Sequence, residues 1–293
     1  TVSVDSQILE AIQACPRVYK YKFIDNLRPL KKSEYLDKGS LLHECLEIFY
    51  LSYQEPYNER VKLAIEHGQK YSIGIALPIE DCNEVIFQFK EYAEHYKMDG
   101  WKPLVINGIP LVEHCFSIVL HDDEEIKIIY SGKIDLIAET PVGKIIVDHK
   151  SESRRSEPST LTNQFIGYAN ALQIYNVWIN KVGFQKTLSR NDRFRRIMKS
   201  YNPAWVEEWK SGVIQDIKDA VRFIQAGDFR GRFCSCDRYT WGCDYKSLCE
   251  TTEDNRVFKA RVFFQVGEAW DPYHSKKSTV SDPKKSIKAE EGE

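Results

Sequence analysis

The sequence predicts an α/β (α+β) fold: a mixed central sheet flanked by helices, with a helical N-terminal part and a C-terminal segment rich in cysteine. Three observations carry this. Apolar residues recur at helical spacing through about residue 100. From Trp101 the period changes to strand alternation. Four of the eight cysteines, Cys234, Cys236, Cys243 and Cys249, crowd into one short stretch.

A first helix is expected over 5–20, capped by Asp5 or Ser6, with Ile8, Leu9 and Ile12 on one face. It runs into Cys15-Pro16, and a residue before proline lies where a helix ends or kinks, which would leave the Cys15 thiol near a surface turn. A second helix is expected from Gly39-Ser40 to about Tyr53, with Leu42, Cys45, Leu46 and Phe49 as its apolar stripe and His43 and Glu47 on the adjoining face. Further helices are expected over 56–70 and 81–98. Strands follow over Leu111–Leu120, with Glu113 at its start, and over Ile126–Tyr130. Past a polar break at 151–159, a helix over about Thr160–Tyr175 carries Gln164 and Tyr168 on one face, and strands are expected at Tyr175–Val182 and Arg193–Ser200. Pro203 opens a long helix to about Ala226, with Trp205, Trp209, Val213 and Ile217 on one face.

The stretch from Gly132 to Lys150 holds the strongest chemical signal. It reads as two apolar strands joined by Thr-Pro-Val-Gly, a hairpin signal. Each strand sets an aspartate among apolar neighbours, Asp135 in Ile-Asp-Leu-Ile and Asp148 after Ile-Ile-Val. A carboxylate there is costly unless a cation or donors compensate it. Strand period places Asp148 and Lys150 on one face and His149 on the other, and groups Lys133, Asp135 and Ile137. Two carboxylates and a lysine converging on one side suit a hard divalent cation beside a proton-handling amine.

The remaining signals are less specific. Cys45, Cys82 and Cys115 sit singly among apolar residues and read as small buried hydrophobes. The C-terminal cysteines, with no secretory signal at the N-terminus, point to metal or cluster ligation rather than disulfides. Lys186, Arg190, Arg193, Arg195, Arg196 and Lys199 form a basic run that reads either as a solvated sheet edge or as a strip tracking a phosphate backbone. A net charge of −2 excludes wholesale coating of nucleic acid but not a local basic groove. No apolar run reaches the roughly 20 residues a membrane span needs.

Taken together these residues resemble the PD-(D/E)xK nuclease superfamily, and within it RecB-like exonucleases that carry an iron–sulfur cluster, a group that includes CRISPR-associated adaptation nucleases and phage-encoded exonucleases. Gln13-Ala-Cys-Pro-Arg17 resembles the N-terminal cluster cysteine, and Gly39-Ser-Leu-Leu-His43 with Leu46-Glu47 the metal-contacting histidine helix. Glu113 resembles the acidic residue of the first core strand, Gly132-Lys-Ile-Asp135 the first core aspartate, and Asp148-His-Lys150 the (D/E)xK triplet. Gln164-Phe-Ile-Gly-Tyr168 resembles the QxxxY helix. Ile134 stands where the name has proline, and the spacing Cys236-x6-Cys243-x5-Cys249 is wider than in some relatives, leaving Cys234 as a spare ligand.

The resemblance implies a restriction-endonuclease-like core and a metal-dependent DNA exonuclease acting on ends or single strands in recombination, repair or phage DNA metabolism. Asp135, Asp148, His43 and the main-chain carbonyl of His149 would hold Mg²⁺ or Mn²⁺. Lys150, as a buried amine, would orient and help deprotonate the attacking water. Glu113 would bind a second ion or hold Lys150 and a water, and Gln164 and Tyr168 would position the DNA. Cys15, Cys236, Cys243 and Cys249 would hold a 4Fe–4S cluster, or zinc through the same four thiolates. Arg190, Arg193, Arg195 and Arg196 are the candidate nucleic-acid contacts. The alternative reading is a non-catalytic nucleic-acid-binding module with a four-cysteine site. Expected partners are DNA and a recombination or replication protein, with no membrane; the expected location is the cytoplasm, the host's if phage-encoded. One nuclease domain is expected over 1–274 (helical part about 1–100, core about 101–202, C-terminal helix and cluster segment about 203–274), then a disordered tail over 275–293.

Overall fold

The computed structural model describes residues 1–30, 34–141, 143–237 and 242–271. The expected tail, and Val142 in the hairpin turn, lie outside them. In chain order the principal elements are β1 (Val2–Val4), α1 (Ser6–Ala14), α2 (Glu34–Leu51), α3 (Tyr57–Gly74), α4 (Ile79–His95), β2 (Lys102–Pro103), β3 (Val112–Asp122), β4 (Lys127–Thr140), β5 (Gly143–Glu152), α5 (Asn163–Leu172), β6 (Asn176–Gly183), β7 (Phe194–Ser200), α6 (Pro203–Gln225) and α7 (Glu253–Phe263). The chain clusters into two compact units, one from 33–115 and 133–206, the other from 1–32, 116–132 and 207 onward. Both are discontinuous in sequence.

The unit formed by 33–115 and 133–206 is built on strands in the order β2-β4-β5-β6-β7. Pairing is antiparallel between β4 and β5, parallel between β5 and β6, and antiparallel between β6 and β7. The run Ile145-Ile146-Val147 makes β5 a central strand buried on both faces, as parallel pairing requires. The parallel step from β5 to β6 needs a crossover, and α5 supplies it. Thr162 caps α5 by accepting the Phe165 N–H at 3.3 Å, and Gln173 ends it in the left-handed region at φ 53°.

Helices α2, α3 and α4 cover the other sheet face, packing Leu41, Leu42, Leu46, Val85, Phe89 and Tyr92 against Leu136, Ala138, Ile145 and Val147. Gly68 lets α3 seat on α2, since a Cβ there would lie 2.5 Å from Cys45 Sγ. Cys45 and Cys82 are packing residues, as expected; Cys115 is half-buried. The histidine helix starts at Glu34, several residues before the expected Gly39.

In the other unit Asp5 caps α1 through the Ile8 N–H at 2.8 Å, and Leu9 and Ile12 face inward. The expected helix over 5–20 is interrupted: Cys15 is extended at φ −168° and ψ 122°, because the residue before Pro16 is excluded from helical geometry. A short helical turn Pro16–Tyr19 and a π-turn Lys20–Ile24 follow. Tyr21, Tyr245, Leu248 and Phe264 form a small core. On α6, Val206, Val213 and Ile217 are buried, whereas Trp205, expected on that face, is exposed. The two strands expected at Ile126–Tyr130 and after Gly132 are one strand, β4, because Ser131 and Gly132 stay in the extended ladder. No helix among the described residues is long and apolar enough to cross a membrane.

Candidate active site

The residues singled out between His43 and Tyr168 all fall in the unit formed by 33–115 and 133–206. Helix α2 brings His43 to the sheet, where its Nδ1 lies 3.7 Å from Asp135 Oδ2 and 3.9 Å from Glu113 Oε1. His43, Glu113 and Asp135 offer ligand atoms within 4.8 Å of one another, the one such group among the described residues. Asp135 Oδ2 also accepts the His149 peptide N–H at 2.7 Å, which ties β4 to β5 at the site.

Asp148 is 1% exposed, and neither of its carboxylate oxygens accepts a hydrogen bond. Lys150 Nζ stands 2.9 Å from Asp148 Oδ2 as an ion pair. A buried carboxylate short of donors is what a bound cation would satisfy, so the donor set fits a hard divalent ion. The expectation that Lys150 is buried is corrected: its side chain is 42% exposed, since Nζ projects past Asp148.

Helix α5 supports that lysine. Lys150 Nζ donates to Gln164 Oε1 at 3.2 Å, Gln164 Nε2 donates to the Tyr168 hydroxyl at 3.0 Å, and that hydroxyl donates to the Lys133 carbonyl at 2.6 Å. Tyr168 is buried and Gln164 half-buried, and their hydrogen bonds tie Lys150 to β4.

Burial, reinforced by Asp148 and Glu113, raises the Asp135 carboxyl to about 7. Burial opposes a charge on His43, yet Asp135 and Glu113 outweigh it and raise its pKa. Burial likewise opposes a charge on Glu113, but His43 and Lys133 pull its pKa down. His149 is held neutral, well below its usual range, by burial first and then by His43. Its Nδ1 meets Asn180 Nδ2 at 2.7 Å, and its ring stacks on Tyr50.

An acid raised above its unfolded value binds a proton that the unfolded chain releases, so metal-free stability falls as pH climbs from about 4 to about 7. Asp135→Asn is therefore expected to leave the melting temperature in EDTA unchanged near pH 4 and to raise it at pH 8. Equal shifts at both pH values would refute the charge as the cause.

The basic run does not form an open strip. Arg190 grips Glu91 at 2.7 and 2.8 Å, and the buried Arg193 meets Gln88 at 2.7 Å and Glu91 at 3.3 Å. Arg195 pairs with Glu152 at 3.1 Å and Glu157 at 3.0 Å, and Arg196 with Asp99 at 2.6 Å. All four guanidinium groups are matched by carboxylates brought from distant positions in the chain. Lys133, marked in the sequence only by sharing a strand face with Asp135, contacts Glu113 Oε2 through its Nζ.

In the other unit, Cys15, Cys236, Cys243 and Cys249 line one cavity of about 250 Å³. Cys15 is buried, contrary to the expected surface turn, and its Sγ accepts the Arg232 N–H at 3.2 Å. Cys234 is exposed and does not line the cavity.

No curated protein matches the sequence at a significant level. Among solved structures, one from Eubacterium rectale described as a "putative exonuclease" is similar over 86% of this chain and 91% of its own, with 12% identity and a TM-score of 0.46. The protein SSO0001 is similar over 71% of this chain and 84% of its own, with 10% identity and a TM-score of 0.32. The family model of the PD-(D/E)XK nuclease superfamily matches residues 6–250. A match of that extent covers both units, and the chain belongs to the PD-(D/E)XK nuclease superfamily.

Proposed function

We propose that the chain is a divalent-metal-dependent DNA exonuclease, hydrolysing phosphodiester bonds at ends or in single strands during recombination, repair or phage DNA metabolism. The observation that carries this is Asp148, buried with no hydrogen bond to either oxygen and only the Lys150 ammonium as ion-pair partner among the described residues, close to the His43, Glu113 and Asp135 group. Asp135, Asp148, His43 and the His149 main-chain carbonyl would hold Mg²⁺ or Mn²⁺, the histidine nitrogen favouring Mn²⁺. When bound, such an ion lowers the pKa of water and neutralises phosphate charge. Lys150, partly exposed and fixed by Asp148 and Gln164, orients the attacking water and takes part in moving its proton. The non-catalytic reading loses its main surface, because the arginine run is internally paired.

In the other unit, Cys15, Cys236, Cys243 and Cys249, which line one cavity, would hold a 4Fe–4S cluster, or zinc through the same four thiolates.

The test is incubation of end-labelled linear DNA, single- and double-stranded, and of closed circular DNA with Mg²⁺, Mn²⁺ or EDTA. Metal-dependent loss of the linear forms with the circle spared is expected. Loss of the circle at the same rate would overturn the exonuclease assignment, and no metal-dependent hydrolysis would overturn the nuclease reading. Iron and acid-labile sulfide in the same preparation, against zinc, decide the cysteine site.

A further inference from the structure

We propose that the nuclease centre holds a single divalent cation, because Lys133 occupies the place beside Glu113 that a second would need. This rests on the metal-dependent reading above and specifies its stoichiometry.

Glu113 is the carboxylate on which a second ion would depend, and both of its oxygens face positive groups. Oε2 contacts Lys133 Nζ, and Oε1 faces His43 Nδ1 at 3.9 Å. The pair is shielded from water, with side chains 13% and 29% exposed. It is also held by the backbone at both ends. Glu113 sits at φ 48°, a left-handed conformation uncommon outside glycine. Lys133 is anchored through its carbonyl, which accepts the Tyr168 hydroxyl. An ammonium on a short, anchored path to its carboxylate is a resident counter-charge.

A second cation would add two charges against an ammonium already in contact with its ligand.

The test counts Mn²⁺ by titration calorimetry and by electron paramagnetic resonance of free ion, without DNA and independently of cleavage. One Mn²⁺ per chain is expected for the native protein and two for Lys133→Met, which keeps the stem and removes the charge. Lys133→Gln serves if the methionine variant fails to fold, and Asp148→Asn locates the native ion by losing it. Two ions in the native protein would overturn the proposal, as would one ion in native and Lys133 variants alike. No binding to the native protein would overturn the metal-dependent reading itself, a distinguishable failure.

Discussion

Lys150→Met is expected to lower metal-dependent DNA cleavage by about 10³-fold or more at saturating Mn²⁺, the upper range for losing a group that handles a proton in the transition state. Its ammonium is held 2.9 Å from Asp148 and 3.2 Å from Gln164, so removal takes away the one partly exposed amine in ion-pair contact with the buried aspartate. In the metal-free protein the change should destabilise by about 3–5 kcal/mol, because it leaves Asp148, 1% exposed, without its ion-pair partner, whereas a cation bound at saturating Mn²⁺ would supply the missing charge. Mn²⁺ affinity should stay or rise, since the buried carboxylate loses a competing cation. Asp148→Asn behaves differently: it should lose both cleavage and Mn²⁺ binding. Cleavage rates, Mn²⁺ titration and thermal melting of the two variants separate the roles. Near-native cleavage by either variant would remove these residues from the chemistry.

Sequence pattern alone located this site along the chain but not its wiring. Asp135, Asp148 and Lys150 stand out because polar groups inside apolar strands are costly, and that rule is local. Lys133 holding Glu113 could not be read in the same way. It depends on where β3 leads after an irregular start and on the left-handed backbone at Glu113, neither of which leaves a periodic trace. The helices and strands of the 33–115 and 133–206 unit follow their periods closely. The fusion of two expected strands into β4 was hidden because Ser131-Gly132 resembles a turn. In the structure Ser131 is buried and its hydroxyl lies 3.0 Å from that of Ser117. At Cys15 the proline rule identified the helix end, but a chain end of a helix is not always a surface. Residues more than two hundred positions away, around Arg232, close over it.

The same limit hid the arginines' carboxylate partners, and here the expected effect is on stability. Arg196 is 11% exposed at its side chain, with Nη2 2.6 Å from Asp99 and its guanidinium 3.6 and 3.4 Å from the ring centroids of Tyr96 and Trp101. Behind it, Nε reaches Asn180 Oδ1 at 3.4 Å, and Asn180 in turn contacts His149 at 2.7 Å, so the residue buttresses β5 next to Asp148. Removing one partner of a buried pair leaves an uncompensated charge, here Asp99 at 16% exposure, at a cost of about 3–5 kcal/mol. Arg196→Met should therefore lower the melting temperature by about 10 °C, taking about 2–4 °C per kcal/mol for a domain of this size. Adding Asp99→Asn should recover much of that loss, because the remaining amide carries no charge and its oxygen can still accept the Trp101 N–H that Asp99 takes at 3.3 Å. A phosphate contact would behave in the opposite way: stability would hold, DNA binding would weaken, and the salt slope would fall by about one. Thermal melting of the single and double variants beside a salt titration of DNA binding distinguishes a buttress from a contact, and an unchanged melting temperature with a shallower salt slope would restore the arginine to the DNA surface.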